Sequence, residues 1–313
     1  MRPTVIAGAL AAAAALAGCG STSAPSAPAR PAAAVPLQVA NGPIAAPRDP
    51  GAVPLRLRLT ATADPVRVRF RHPPRSGLLF DLDTGRVLWR RAPVRIVPIA
   101  SLTKMMTALL VAEGAPPDRR VMITRAAVNT AGSKVGLLPK GKRVPLEALL
   151  FGLLLPSGND AATALAQNLG GTVGRFVARM NQRARDLGLS CTRFSSPSGI
   201  VDAGNHSCAA DLAALARAML DEPRLARIVR RRRAVLRFPI KGGHLELYNN
   251  NPLLRTGYAG TIGVKTGYTS AAGHCLVAAV RRRGRRLGLV LLGSPDTGRQ
   301  ARRLFDRAFA SQP

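Results

Sequence analysis

The chain has 313 residues, with 46 Lys plus Arg against 16 Asp plus Glu, a formal net charge of +30. So basic a protein either meets an anionic counter-surface or reflects a general preference for arginine on solvated faces, and three tyrosines and one tryptophan are too few to interleave a base-stacking surface, so nucleic acid is set aside as a partner. Four scattered histidines and four cysteines without CxxC or paired-His spacing give no metal site, and neither metal nor cofactor is expected.

Arg2, an alanine-rich apolar run over residues 5–16 and the sequence Leu16-Ala17-Gly18-Cys19 have the form of an export signal, and the run is too short to span a bilayer. Leucine and small residues directly before a cysteine resemble the bacterial lipoprotein signal, which implies cleavage before Cys19 and lipid on its sulfur. An ordinary signal peptide with an incidental cysteine is the alternative. Residues 20–48 are rich in Ala, Pro and Ser and nearly devoid of large apolar side chains, so they cannot offset the cost of ordering and read as a tether. Residues 55–59 and 66–70 alternate apolar and basic side chains, as a half-buried strand or a membrane-surface segment would. The expected organisation is a signal at 1–18, a lipid-attached tether and basic segment at 19–74, and one domain at 75–313.

In that domain Leu78-Leu79-Phe80, the turn residues Asp83, Thr84 and Gly85, and Val87-Leu88-Trp89 predict strand, turn and strand. Residues 101–113 carry Met105, Leu109 and Ala112 at helical spacing and are stopped by Gly114 and two prolines. The span 144–220 is largely helical in pattern, including 160–169 and 172–187. Cys191 and Cys208 lie in a polar stretch within it and are expected to form a disulfide, worth about 3 kcal/mol in the chain-entropy model. Cys275, in an apolar run, reads as a small buried hydrophobe. Residues 261–264, 273–280 and 287–292 are β-like, with Arg283-Gly284 turning between the last two, and 298–310 forms a final helix. Strands at both ends with helices between them predict an α+β fold in which an antiparallel sheet, built from both ends of the domain, carries a helical lobe.

Three signatures occur in fixed order: Ser101-Leu102-Thr103-Lys104, Ser157-Gly158-Asn159 and Lys265-Thr266-Gly267. A serine hydroxyl attacks poorly at neutral pH unless a neutral amine or imidazole takes its proton, and a lysine three residues along a helix can do so. Only six of the 46 cations are lysine, yet two occupy motif positions, and arginine could not serve there because it does not deprotonate. Ser101 opens a helix, so the helix dipole and partial burial both disfavour an ammonium on Lys104. Ser157 and Asn159 lie in a turn before a helix, from which both side chains can reach a cleft.

On these motifs, and on their surroundings at 100–107, 155–160 and 264–270, the chain resembles the serine-type D-Ala-D-Ala carboxypeptidases, the low-molecular-mass penicillin-binding proteins, over residues 77–310. The resemblance implies a β-lactamase/transpeptidase-like fold and acyl transfer from peptidoglycan D-Ala-D-Ala peptides, with β-lactams as acylating inhibitors. It implies that Ser101 attacks, Lys104 accepts its proton and Ser157 passes that proton to the leaving D-alanine. Asn159 would orient Lys104 and bind the substrate amide, and Lys265 and Thr266 would engage the terminal carboxylate. Gly267 would keep the strand edge open, and the oxyanion would sit between the backbone amides of Ser101 and Tyr268. Arg299 lies where the family often has a second carboxylate-binding arginine and stays outside the core set. Asp160 reads as a helix cap. The chain ends without the β-rich domain and amphipathic tail common in relatives, so lipid on Cys19 plus basic surface is the expected anchor, at the outer face of the cell membrane, with anionic wall polymers as a further counter-charge. Three alternatives remain: a β-lactamase, for which Glu147, Glu222 and Glu246 are the acids at intermediate positions but none matches a deacylating loop; a DD-endopeptidase; and a non-catalytic wall-binding lipoprotein.

Overall fold

The computed structural model describes residues 55–60, 63–201 and 203–311. The signal and most of the tether, including Cys19, lie outside the described residues. Strands β1 (Ser76–Asp81), β2 (Val87–Arg91) and the short β3 (Val97–Pro98) lead into a 3-10 turn, Ala100–Thr103, and helix α1 (Lys104–Gly114). The lobe continues through β4 (Arg120–Met122), α2 (Arg125–Val128), β5 (Arg143–Pro145), α3 (Leu146–Leu154), α4 (Asn159–Gly170) and α5 (Val173–Asp186). After it come β6 (His206–Ser207), α6 (Ala209–Asp221), α7 (Pro223–Val229), the hairpin β7 (Arg233–Arg237) and β8 (His244–Tyr248), and α8 (Pro252–Arg255). The chain then returns to the sheet as β9 (Thr261–Thr269), β10 (Gly273–Arg282) and β11 (Arg285–Ser294), and closes with α9 (Thr297–Ala310).

The main sheet has the order β2-β1-β11-β10-β9 and every neighbouring pair is antiparallel. Both ends of the domain therefore build one sheet, as the strand pattern predicts. Its central strands are apolar without alternation because both faces are covered. Leu78, Phe80, Val277, Ala279, Val290 and Leu292 face the helical lobe. Leu79, Leu276, Ala278, Val280, Leu289 and Leu291 pack instead with Ala301, Leu304, Phe305 and Ala308 of α9. Helix α1 is buried from Lys104 through Val111, so it runs through the middle of the lobe, where the sequence showed only one apolar stripe. On α5 the stripe of Phe176, Met180 and Ala184 is buried, and Thr172 caps the helix by accepting from the Arg175 amide at 3.1 Å.

The alternating segments before residue 75 are half-buried but form no ladder. Leu55, Leu57 and Leu59 rest on the lobe-side core, while Val66, Val68 and Phe70 rest on the α9 side. The Val66 amide donates to the Leu88 carbonyl at 2.9 Å. Packing thus begins twenty residues before the boundary at 75 expected from composition. Among the described residues no helix is long and apolar enough to cross a membrane.

Candidate active site

The site begins where β3 ends. Ala100 takes a left-handed φ of +48°, uncommon for a residue with a side chain, and the 3-10 turn follows at once. The Thr103 hydroxyl donates to the Ala100 carbonyl at 2.8 Å. Gly199 packs against the same carbonyl and hydroxyl: a Cβ there would come within 2.0 Å of the Ala100 oxygen and 2.5 Å of Thr103 Oγ1. In a 3-10 turn residues three apart eclipse, and Lys104 Nζ accordingly stands 2.7 Å from Ser101 Oγ.

Lys104 is fully buried, and its Nζ also contacts Asn159 Oδ1 at 2.7 Å and the Ser198 carbonyl at 2.9 Å. The Asn159 Nδ2 donates to the Ala131 carbonyl at 2.7 Å, which fixes the amide with Oδ1 toward the lysine, since a carbonyl can only accept. Two of the three Nζ partners are therefore obligate acceptors. A neutral amine has two N–H groups and one lone pair, so both N–H groups are committed to Asn159 and Ser198 and the lone pair points at the Ser101 hydroxyl. Burial drives Lys104 well below the ordinary lysine range, the charge of Lys265 pushes it further down, and Asp160 opposes weakly. The geometry accommodates a general base, and the electrostatics favour one.

Asn159 opens α4, and its own amide donates to the Ser133 carbonyl at 2.7 Å. Next to it, buried Asp160 accepts from the Ala161, Val135 and Gly136 amides at 2.8, 2.9 and 3.2 Å. The cap position is Gly158, so Asp160 is a first-turn residue rather than the cap: it ties the 131–136 loop to the start of α4 and so holds the Ala131 carbonyl that orients Asn159. Ser157 has a left-handed φ of +70°, and its buried Oγ has no hydrogen-bond partner. A strained residue with an uncommitted hydroxyl, two positions from Asn159, is available to a reacting group.

Lys265 lies on the edge strand β9 opposite Val277, on the lobe side of the sheet. It is buried, its Nζ donates to the Thr266 carbonyl at 2.9 Å, and desolvation lowers it from 10.5 to about 7. Thr266 is half-buried opposite Leu276. At Gly267 a Cβ would lie 3.1 Å from both the Ser101 amide nitrogen and the Ile99 carbonyl. The glycine lets the nucleophile turn close on β9, bringing the Ser101 amide beside the 267–268 backbone, where an oxyanion would need two N–H donors. Tyr268 is exposed and stacks on His274 with ring centroids 4.6 Å apart.

Two contributors escaped the sequence reading. One is the Ser198 carbonyl on Lys104. The other is Asn205, fully buried, whose Nδ2 donates to Val201 O, Ser195 Oγ and Ser196 Oγ at 2.6, 2.9 and 3.0 Å and so shapes the loop that presents Ser198. The run Ser195-Ser196-Pro197-Ser198-Gly199 was the available signal, a polar turn sequence with a glycine at φ +73°. The ends of this loop are joined by a Cys191–Cys208 disulfide with Cα atoms 5.6 Å apart, and by β6 pairing with β3 just before the nucleophile turn. Cys275 is buried within β10.

Arg299 is exposed on α9, on the face of the sheet away from Lys265. Glu147 pairs with Arg224 and Arg227, both at 2.7 Å. Glu222 caps α7 and Glu246 pairs with Arg233 and Tyr248, so all three candidate acids have partners outside the site.

The profile of the D-alanyl-D-alanine carboxypeptidase family, peptidase S11, matches residues 62–296. The chain belongs to this family. It is 39% identical over 249 residues to the D-alanyl-D-alanine carboxypeptidase DacB2 of Mycobacterium tuberculosis, covering 77% of this chain and 84% of the relative. It is 32% identical over 247 residues to DacF of Bacillus subtilis, covering 76% of this chain and 63% of that relative's length. The crystal structure of the Streptomyces K15 DD-transpeptidase superposes with a TM-score of 0.72 at 31% identity, covering 78% of this chain and all of that one. The expected fold class, an antiparallel sheet with a helical lobe of the transpeptidase type, is therefore the observed one.

Proposed function

We propose that this family member is a serine D-Ala-D-Ala carboxypeptidase, which removes the terminal D-alanine of peptidoglycan stem peptides through an acyl-enzyme on Ser101. The observation that carries the reading is the 2.7 Å approach of a buried Lys104, its two N–H groups held by Asn159 and Ser198, to the Ser101 hydroxyl. Ser101 Oγ attacks the penultimate carbonyl as its proton passes to Lys104 Nζ. The oxyanion lies between the Ser101 and Tyr268 amides. Collapse breaks the peptide bond, and D-alanine leaves with a proton relayed through Ser157. Water then hydrolyses the ester.

The terminal carboxylate binds at Lys265 and Thr266. Among the described residues no carboxylate pairs with Lys265, so the substrate brings the counter-charge that restores an ammonium there. A β-lactam, with its own carboxylate, enters the same way and acylates Ser101. Asn159 meets the substrate amide with the lone pair and N–H left over from its contacts with Lys104 and Ala131. For the unmatched ends we propose export, lipid on Cys19 and residence at the outer face of the cell membrane near anionic wall polymers. Detergent partitioning that is lost in Cys19→Ala supports the anchor, and partitioning that survives refutes it.

The function is tested with a defined pentapeptide and a penicillin. Wild type should release D-alanine and hold a lasting adduct on Ser101, and Ser101→Ala should do neither while keeping its fold. Rapid return of free enzyme from penicillin favours a β-lactamase. Cleavage of cross-linked peptides in place of D-alanine release favours an endopeptidase, and wall binding without either reaction a binding lipoprotein.

A further inference from the structure

Six arginines ring one surface cleft of about 630 Å³ between residues 67–69 and α9: Arg67, Arg69, Arg299, Arg302, Arg303 and Arg307. All six are exposed, and none forms an ion pair with a carboxylate of the described residues. The one acid lining the cleft, Asp306, is already engaged by the Tyr258 hydroxyl and lies 3.7 Å from Arg282. Elsewhere on the surface arginines do find acids, as Arg183 does on Glu113 and Arg224 on Glu147.

On α9 the arginines recur at three- and four-residue spacing along one face, opposite the face that packs on the sheet. Like charges so spaced repel, and six arginines face the single carboxylate of Asp306, which Tyr258 and Arg282 already engage. Two are also held in place: the Arg303 guanidinium lies 5.6 Å from the Phe70 ring centroid and that of Arg302 5.7 Å from Tyr258. Half-buried Val68, Phe70 and Phe309 leave apolar surface among the charges, which suits the boundary between headgroups and acyl chains. Guanidinium groups bind phosphate oxygens in pairs. The placement also fits a planar partner. Helix α9 covers one face of the sheet while Lys265, Gly267 and the Ser101 turn meet on the other, so contact through α9 leaves the nucleophile open.

We propose that this face docks on the anionic phospholipid headgroups of a bilayer, with the active site turned away from it. The proposal requires neither the acyl-transfer reading nor lipid on Cys19.

The test uses the full chain in sedimentation with phosphatidylcholine vesicles, with and without phosphatidylglycerol, and compares two charge-matched triple variants. In one, Arg302, Arg303 and Arg307 become Ser; in the other, Arg230, Arg231 and Arg232 do. The α9 variant should lose the phosphatidylglycerol-dependent part of binding by at least about tenfold, as expected for several cations near a charged surface. The second triple should lose less than about twofold, and penicillin labelling of Ser101 should be unchanged in both, which reports folding separately from docking. Equal losses in both triples would mean diffuse charge and overturn the proposal. Wild-type binding indifferent to phosphatidylglycerol, or α9-dependent binding to purified anionic wall polymer without vesicle binding, overturns it as well.

Discussion

The protein holds two concentrations of basic side chains that work in opposite ways. Around Ser101, Lys104 and Lys265 are buried with no carboxylate of the described residues bonded to either, and burial pulls both below the ordinary lysine range. Along α9, arginines stand in water, where nothing removes their charge. The difference is chemical as much as positional. A lysine forced into low dielectric can shed its proton and become a base, whereas an arginine remains a cation and suits a surface that must stay charged. In a chain whose cations are overwhelmingly arginine, the one cation beside the Ser101 hydroxyl is a lysine, which can lose its proton.

The contrast is broken most severely by Lys104→Arg, which keeps a cation there, on a longer and bulkier side chain, but cannot deprotonate. Acylation of Ser101 by penicillin should fall by about 10²–10⁴, the usual contribution of a general base. Recovery at high pH would show that the base lies elsewhere. Next comes Gly267→Ala, which sets a methyl 3.1 Å from the Ser101 amide, so that the nucleophile turn must give by a few tenths of an ångström against β9. Acylation should drop by about tenfold, less than the 10²-fold cost of a misplacement of 1 Å, with little change in Tm.

Lys265→Met sharpens the comparison through stability. Its folded pKa of about 7 lies below the ordinary 10.5, so between these values the unfolded chain binds the extra proton and stability rises with pH. The penalty is fully present below about 7 and is gone above 10.5. Removing the amine should therefore raise Tm at pH 6 by ~5 °C, with the gain shrinking as pH climbs, while D-alanine release is lost. The same titration predicts that kcat/KM falls on the alkaline side as Lys265 loses its proton, and that Lys265→Arg moves that limb upward if the arginine fits. The smallest effect belongs to the surface: Arg302→Ser with Arg303→Ser should change global stability by no more than about 0.5 kcal/mol and leave acylation untouched, as calorimetry and penicillin labelling would show.

The fold was legible from the sequence where the pattern is local. The strands at 78–80 and 87–89, the β-like runs after 261 and the helix before Ala310 each carry a periodicity or a turn of their own. The three motifs likewise mark the groups that meet around Lys104. What could not be read depends on contacts between distant segments. A main-chain carbonyl at Ser198 looks like any other until the fold brings it to Lys104 across 94 residues. Asp160 has the spacing of a cap, and only tertiary packing lets it tie down the Val135 and Gly136 amides as well. The 3-10 start at Ala100 cannot be told from α-helix in the sequence, because the two share their residue preferences over a single turn. Residues 66–70 show why alternation alone does not make a strand: they bury every second side chain against the sheet without joining a ladder.

The central claim is that Lys104 is an uncharged amine aimed at Ser101 at neutral pH. It is tested most directly by the rate of penicillin adduct formation on Ser101 followed by mass spectrometry across pH. The account predicts rapid labelling at neutral pH, rising with an ionisation far below the ordinary lysine range and absent in Lys104→Arg. Labelling that rises only near pH 10.5, the unperturbed lysine value, or that persists unchanged in Lys104→Arg, would contradict it.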